Sequence, residues 1–368
     1  MKVLVTGSNG FVGKNLVAEL TYNGYEILPF DLETSHEKLL EYTKVCEFVF
    51  HLAGVNRPQD DKDFIKGNVD FTSQLLDSLK RNKNNCPVLI TSSIQAALNN
   101  PYGLSKRKGE ELMFKYSEET DAPVYVYRLP NLFGKWSKPN YNTVVATFCH
   151  NIARDIEIQM NDRNYELNLC YIDDLLEEFM NALNMKPTKD KEFCYVRTTY
   201  KITLGELADS LFSFKKSRGD LSLPELNDPL QKKLYSTYLS FLPTDAFSYP
   251  LKMNVDNRGS FTEFFRTDEK GQVAINVSKP GITKGNHWHH TKNEKFLVVK
   301  GTGVIRFRNI NSNEIIEYRV SDEKLEVVDI PTGYTHSIEN VGNEDMVTVI
   351  WVNESFNKDK PDTYYLEV

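Results

Sequence analysis

The strongest constraint on this chain is a change of hydrophobic rhythm close to residue 250. In the first third, short apolar runs alternate with helical patterns. Lys2-Val5, Ile27-Phe30, Phe48-Leu52, Val88-Thr91 and Val124-Arg128 read as strands, and Gly13-Leu20, Thr72-Leu79 and Ser105-Tyr116 as helices. Such alternation predicts βαβ units and a doubly wound parallel α/β sheet, because parallel neighbours need a long crossover between them. Residues 140–245 are more helical, in Val144-Ala153, Asp173-Leu183 and Leu204-Lys216. The stretch 217–250 is polar, rich in Pro and Tyr and weakly periodic, which puts the domain join near Phe247-Ser248-Tyr249-Pro250. After Leu251, Val273-Val277, Lys295-Val299, Val304-Arg308, Ile315-Val320, Leu325-Ile330 and Met346-Val352 follow each other through short polar turns. Closely spaced strands without long helical periods predict a small all-β antiparallel barrel. The expected domains are 1–245 and 246–368.

Composition narrows the partners. The 368 residues carry 44 Lys+Arg against 51 Asp+Glu, a net charge of −7, whereas a nucleic-acid binder normally needs a basic stripe. No run approaches the roughly 18 apolar residues of a membrane span. Met1-Lys2-Val3-Leu4-Val5-Thr6-Gly7 reads as a strand entering a turn rather than a secretory leader. Cys46, Cys86, Cys149, Cys170 and Cys194 are odd in number and contain no CxxC pair, so reduced buried thiols are expected. The expectation is a cytoplasmic protein with neither membrane insertion nor a nucleic-acid partner.

Chemistry concentrates in two places. In the first, Gly7, Gly10 and Gly13 form G-x-x-G-x-x-G after the first strand and run through Phe11 and Val12 into the first helix. Glycines permit a tight turn, and a helix N-terminus attracts a pyrophosphate. Asp31 follows the second strand, where an acidic residue can bond ribose hydroxyls. Tyr102 and Lys106 are spaced i, i+4 on one helix face, with Ser93 after the preceding strand. A cation near the phenol would lower its pKa, and Ser, Tyr and Lys together could bind and protonate a carbonyl oxygen.

These pieces, with His51-Leu-Ala-Gly54, Arg128-Leu-Pro-Asn-Leu-Phe-Gly134 and Tyr171-Ile-Asp-Asp174, make residues 1–245 resemble an extended short-chain dehydrogenase/reductase. The resemblance implies a Rossmann-type fold, a nicotinamide cofactor and a nucleotide-sugar substrate. It implies catalysis by Ser93, Tyr102 and Lys106, with Ala53 and Gly54 lining the cofactor and Pro130 and Asn131 between nicotinamide and sugar. Related 4,6-dehydratases carry an acidic pair where this chain has Ile94 and Gln95. Neither can act as acid or base, which favours carbonyl reduction or oxidation over dehydration.

The second place holds four of the seven histidines: His287, His289, His290 and His336. His-x-His on a strand puts two imidazoles on one face. Glu294 could join them from the next strand and His336 from a distant one, giving three His and one carboxylate for Zn²⁺, Fe²⁺, Mn²⁺ or Ni²⁺. His290 points to the opposite face. The spacing resembles both cupin motifs, with Leu325 standing where a glycine usually precedes Pro331. Cupins are small jelly-roll barrels. Asp256-Asn-Arg258-Gly-Ser-Phe-Thr-Glu263 and Lys284-Gly-Asn-His287 are similar to the dTDP-4-dehydrorhamnose 3,5-epimerase family. That likeness implies nucleotide contacts for Arg258 and Glu263, and a catalytic base at the position of His287.

The two chemistries suit one 4-keto sugar nucleotide, whose C3–H is acidified by the ketone. Along its whole length the chain resembles the two-domain capsular polysaccharide enzymes of the UDP-N-acetyl-L-fucosamine pathway. The resemblance implies C3 epimerisation at zinc, then NADPH-dependent C4 reduction to UDP-2-acetamido-2,6-dideoxy-L-talose, in a homodimer. Asp31-Leu32-Glu33 supplies no cation for a 2′-phosphate, so the residues favour NADH and the resemblance NADPH. Two rival readings remain: a reductase with a non-catalytic, metal-stabilised dimerisation module, and a metal oxygenase. Lys284, His287 and Tyr334 are the candidates for the epimerase acid and base.

Overall fold

The computed structural model describes every residue except Arg57, Gln59, Asp61, Asp268, Phe356 and Lys360. It divides into two compact units, residues 1–212 with 226–243, and residues 213–225 with 244–368.

The first unit is built on a sheet ordered Glu26–Phe30, Lys2–Thr6, Phe48–His51, Val88–Ser93, Val124–Leu129, Phe193–Cys194, Lys189–Asp190. All neighbours are parallel except the last pair. Its central strands are apolar on both faces, as a sheet covered by helices on both sides requires. Val3, Val5, Phe48, Phe50 and Leu89 pack with Leu16, Leu20 and Phe179 from the helices Phe11–Tyr22 and Ile172–Leu183. Leu4, Val49, Val88 and Ile90 face the other way, onto Leu39, Leu75, Leu79, Met113 and Tyr116. Those come from the helices His36–Val45, Phe71–Arg81 and Pro101–Thr120. Strand order reverses between Lys2–Thr6 and Phe48–His51, which opens a crevice at their C-terminal ends, the ligand position of open α/β sheets. The Gly7 turn and Leu52-Ala53-Gly54 both leave the sheet there.

The expected strands and helices all form, most of them longer than the periodic core of each segment. Among the helices of ten or more residues, two exceed the expectation. His36–Val45 starts on a Ser35 cap that accepts from Lys38 N–H. Pro229–Ser240 lies inside the stretch read as weakly periodic. Its start signals are present, an Asp228 cap and Pro at the first helical position. Its buried face is only Leu230, Leu234, Thr237 and Tyr238, and intervening Lys and Tyr residues mask that stripe.

From Met253 onward the second unit is all-β, with its described residues forming two antiparallel sheets, one of six strands and one of five. The six-stranded sheet runs Met253–Asp256, Gly259–Thr267, Gly271–Ser278, Met346–Val352, Glu294–Lys300, Val327–Ile330. The five-stranded sheet runs Ile315–Ser321, Thr302–Asn309, Tyr334–Asn340, Thr283–Trp288, Tyr364–Tyr365. Phe296, Val328 and Ile350 of the first share one core with Ile305, Phe307 and Ile338 of the second. Leu325 lies outside the strand expected to contain it, which begins at Val327.

Glu110 ties the Tyr102 helix to two central strands. It is 2% exposed, takes both Arg128 nitrogens at 2.9 and 2.7 Å, and accepts from Ser92 Oγ at 2.5 Å. Arg128→Ala strands that carboxylate. The expected loss is about 2–4 kcal/mol of folding stability in urea unfolding at neutral pH, since Arg128 itself is partly solvated.

Candidate functional site

The crevice of the first unit begins with a backbone that only glycine fits. Gly7 has φ of +69°, and a Cβ on Gly13 would lie 2.1 Å from the Gly7 carbonyl oxygen. Helix Phe11–Tyr22 therefore starts tight against the end of the first strand, with Gly10 as its N-cap and no side chain capping its first N–H groups. Such an uncapped N-terminus is an anion site. Asp31 stands at its edge, where its carboxylate accepts from the N–H of Asn9 at 2.7 Å and of Leu32 at 2.9 Å.

Beneath the turn, His51 lies buried between Thr6 Oγ1 and Thr72 Oγ1, each at 2.8 Å. Thr72 donates to the Asn68 carbonyl, so it accepts from His51 Nε2, and Nδ1 accepts from Thr6. Burial, with Lys106 nearby, pushes the imidazole down to about 3 and keeps it neutral. His51 is thus a fixed strut. Asn68 bonds both main-chain groups of Val55, at 2.9 and 3.0 Å, and Ser105 Oγ at 3.0 Å. It pins the Ala53-Gly54 corner to the Tyr102 helix.

Ser93, Tyr102 and Lys106 converge as expected. Ser93 ends its strand and its oxygen accepts from Gln95 N–H at 3.2 Å. Tyr102 is the second residue of the next helix, two positions after the Asn100 cap, with its hydroxyl near Ser93. Lys106 Nζ donates to Thr91 O at 3.1 Å and lies 5.9 Å from the Tyr102 ring centre. A Cβ added to Gly54 would come within 3.1 Å of that ammonium.

The titration differs from expectation. Burial raises Tyr102 above the ordinary phenol range, and the Ser93 bond only partly offsets it. The ammonium is spent on a backbone carbonyl and lies beside the ring, so it does not pull the phenol down. Burial instead lowers Lys106 to about 8. A protonated phenol is the form a carbonyl reductase needs, because it must give a proton away.

In the second unit, His287 opposes His336 across neighbouring strands. Gly285, at φ +103°, allows this approach: a Cβ there would lie 2.8 Å from the His336 carbonyl oxygen. A register shift at Asn286 then turns His287 inward. The strand ends at Trp288, so His289 projects from just beyond it, and Glu294 begins the next strand. One donor atom from each of His287, His289, Glu294 and His336 lies within 4.8 Å of all the others. Glu294 Oε2 is 3.1 Å from His336 Nε2 and 3.7 Å from His289 Nε2. His289 and His336 are 2% and 1% exposed. His289 Nε2, Glu294 Oε2 and both His336 nitrogens are buried without a hydrogen-bond partner. Orphaned buried groups are costly, and here His289 Nε2, Glu294 Oε2 and His336 Nε2 face one another. Burial pushes His287 down to about 4, which favours the neutral, ligating imidazole. The set fits a divalent cation with nitrogen preference. His290 is exposed and packs on Trp288 and Tyr364, away from the cluster.

A cavity of about 270 Å³ opens onto the four groups. Lys284, Lys292, Asn276 and Gln272 line it, with Phe261 and Phe296 on the apolar side. Lys284 Nζ donates to Asn276 Oδ1 and Val277 O, both at 2.8 Å.

Comparison with known proteins matches these two units. A family model described as the NAD dependent epimerase/dehydratase family fits residues 3–195, more than half of the chain. The chain belongs to that family. A second model, the polysaccharide biosynthesis C-terminal domain, fits residues 254–364. A Pseudomonas aeruginosa protein named UDP-2-acetamido-2,6-beta-L-arabino-hexul-4-ose reductase is 48% identical over 100% of this chain and 99% of its own. The crystal structure of the capsular polysaccharide assembling protein CapF from Staphylococcus aureus is 57% identical, covers 100% of both chains and has a TM-score of 0.95. CapF with the inhibitor 3-isopropenyl-tropolone aligns at 53% identity, also over 100% of both chains, with a TM-score of 0.90.

Gly7, Gly10, Gly13, Asp31, Ala53, Gly54, Ser93, Tyr102 and Lys106 all fall within residues 3–195, the span of the epimerase/dehydratase family model. Asn131 is exposed at the start of Asn131–Phe133, with its amide 3.4 Å from Asn168 O. Arg258 is 56% exposed at its side chain and bonded to Asp256 through Nε and Nη2, at 3.0 and 2.7 Å. Glu263 Oε1 is buried and lies 3.8 Å from Arg266 Nε. Neither Arg258 nor Glu263 lines the cavity. Sequence reasoning missed Asn68, Gln272, Asn276 and Lys292. For Gln272 and Asn276 a signal existed: on Gly271–Ser278 the even-numbered positions face inward, and two of the four carry amides.

Lys106 supplies a pH signature. It loses its proton at about 8 in the folded chain and at about 10.4 when unfolded. Between those values the unfolded chain binds the extra proton, so this lysine makes stability rise with pH. Lys106→Met removes that contribution. The stability of wild type relative to the variant should therefore grow from about pH 8 to about pH 10 in urea unfolding.

Proposed function

We propose that this chain is a bifunctional nucleotide-sugar enzyme of capsular polysaccharide synthesis. Its C-terminal unit, read as a jelly-roll cupin within 246–368, epimerises C3 of a UDP-4-keto-6-deoxy-HexNAc. Its N-terminal domain, 1–245, then reduces the C4 ketone with NAD(P)H to UDP-2-acetamido-2,6-dideoxy-L-talose, on the route to UDP-N-acetyl-L-fucosamine. The proposal includes a homodimer in the cytoplasm. Among the described residues no helix is long and apolar enough to cross a membrane.

The observation that carries the reading is the Ser93–Tyr102–Lys106 set in the crevice of a chain that matches a named 4-ulose reductase over its whole length. Reduced nicotinamide, when bound, supplies the hydride for C4. The hydroxyls of Ser93 and Tyr102 receive the C4 oxygen, and Tyr102 gives it the proton. Lys106, held on Thr91 O beside Gly54, would offer a cation to the bound cofactor. Asp31 stands where ribose hydroxyls are read and disfavours a 2′-phosphate, so NADH and NADPH both belong in the assay.

In the barrel, His287, His289, Glu294 and His336 would hold Zn²⁺ or a similar divalent cation. Such a cation supplies positive charge for an oxyanion. The inhibitor recorded with CapF supports this part, since a tropolone carries two adjacent oxygens able to chelate a metal. Lys284 lines the same cavity as the four ligands, its pKa lowered by burial, and is a candidate for the epimerase acid or base with His287 and Tyr334.

NMR of UDP-4-keto-6-deoxy-HexNAc in D₂O tests the whole scheme. Without coenzyme, deuterium is expected at C3. With NADPH or NADH, the C4 ketone is expected to disappear. Tyr102→Phe should slow reduction by about 10²–10⁴ and leave C3 exchange running. His336→Ala, or removal of zinc, should stop C3 exchange. Absence of C3 deuterium in wild type would leave the second reading, a reductase whose barrel is a metal-stabilised dimerisation module.

A further inference from the structure

We infer that Asp362 is a positioning residue for the four-ligand centre, acting through the segment 361–368 that straps the outside of the site. The inference rests on the reading that His287, His289, Glu294 and His336 hold a metal.

His289 Nδ1 lies 2.5 Å from the main-chain oxygen of Asp362. A carbonyl oxygen only accepts, so Nδ1 carries the proton and donates. Nε2 is then the bare nitrogen, and it is the buried, unpartnered atom that faces Glu294. A backbone atom 73 residues away thus selects the tautomer a ligating imidazole needs.

That carbonyl is held in place by its own side chain. The Asp362 carboxylate accepts from the N–H of His290 at 3.0 Å and of Thr291 and Lys292 at 2.9 Å, and from Thr291 Oγ1 at 3.2 Å. These donors form the turn between His289 and Glu294. One aspartate therefore orients the first ligand through its carbonyl and closes the turn leading to the second through its carboxylate. The local backbone is bent to do so, since Asp362 sits at φ +40°.

The rest of the strap meets the other two histidines. Tyr365 and Tyr364 pair with His287 and Trp288, and Tyr364 stacks on Trp288 at 4.9 Å. Leu366 N–H donates to Asn286 O at 3.0 Å, and Leu366 O accepts from Thr335 Oγ1, next to His336. A tail serving only to cover the barrel would have no need to bond a ligand nitrogen. Because the strap hydrogen-bonds His289 and pairs with His287, metal loading and tail docking should favour each other.

The test uses full-length protein stripped of metal, with zinc affinity read by competition against a chromophoric chelator. Asp362→Ala is expected to weaken zinc binding by about 10–100-fold. Asp362→Asn keeps an acceptor for the Thr291 and Lys292 N–H groups and should recover most of the loss. A second measurement needs no variant. A serine carboxypeptidase, which uses no metal, should release the last residues of wild type at least about tenfold more slowly with zinc than without. Zinc affinity of Asp362→Ala within about threefold of wild type, or equal digestion rates, would overturn the inference while the metal reading stands. Failure of wild type to bind zinc would overturn the metal reading, and this inference with it.

Discussion

A polar group removed from water must find a partner, and both halves of this molecule are arranged around that requirement. Around the crevice of the first unit three buried groups meet it internally. His51 is held between Thr6 and Thr72, Asn68 between Val55 and Ser105, and Glu110 between Ser92 and Arg128. These pairs fix the walls of the crevice, so that Ser93, Tyr102 and Lys106 are presented from rigid elements. In the second unit four donors gather around one point, His289 and His336 fully buried, with several atoms unpartnered. The unpartnered atoms of His289, Glu294 and His336 lie together, which is what a bound cation would use.

The same requirement decides the role of Lys106. Lys106 is close to Tyr102 in sequence and on the same helix face. Yet its ammonium goes to Thr91 O, and burial moves both side chains toward their neutral forms. The i, i+4 spacing predicted their proximity, not which group the cation would serve. The sheet decided that, because the Thr91 carbonyl comes from a different strand and reaches the ammonium only after the helix packs on it.

Much of the fold was legible because its signals are local. Strands buried on both faces read as unbroken apolar runs, and the glycine turn announces a close strand-to-helix approach. The helix Pro229–Ser240 escaped notice because its buried stripe is narrow and polar residues interrupt it. The metal-site candidates were legible as a His-x-His pair, a downstream Glu and a remote His. Asp362 was not, since a single aspartate near a chain end carries no pattern until its carboxylate meets the 290–292 backbone.

The sequence by itself determined the order of the two units, the glycine turn, the Ser/Tyr/Lys set and the four ligand candidates. Each depends on residue type at short spacing, which the chain states directly. Tertiary structure alone decided that His287 faces His336 across two strands, that Asp362 selects the tautomer of His289, and that Arg258 is engaged by Asp256. Those outcomes depend on strand register and on competition among nearby partners, and neither exists until distant segments are packed together.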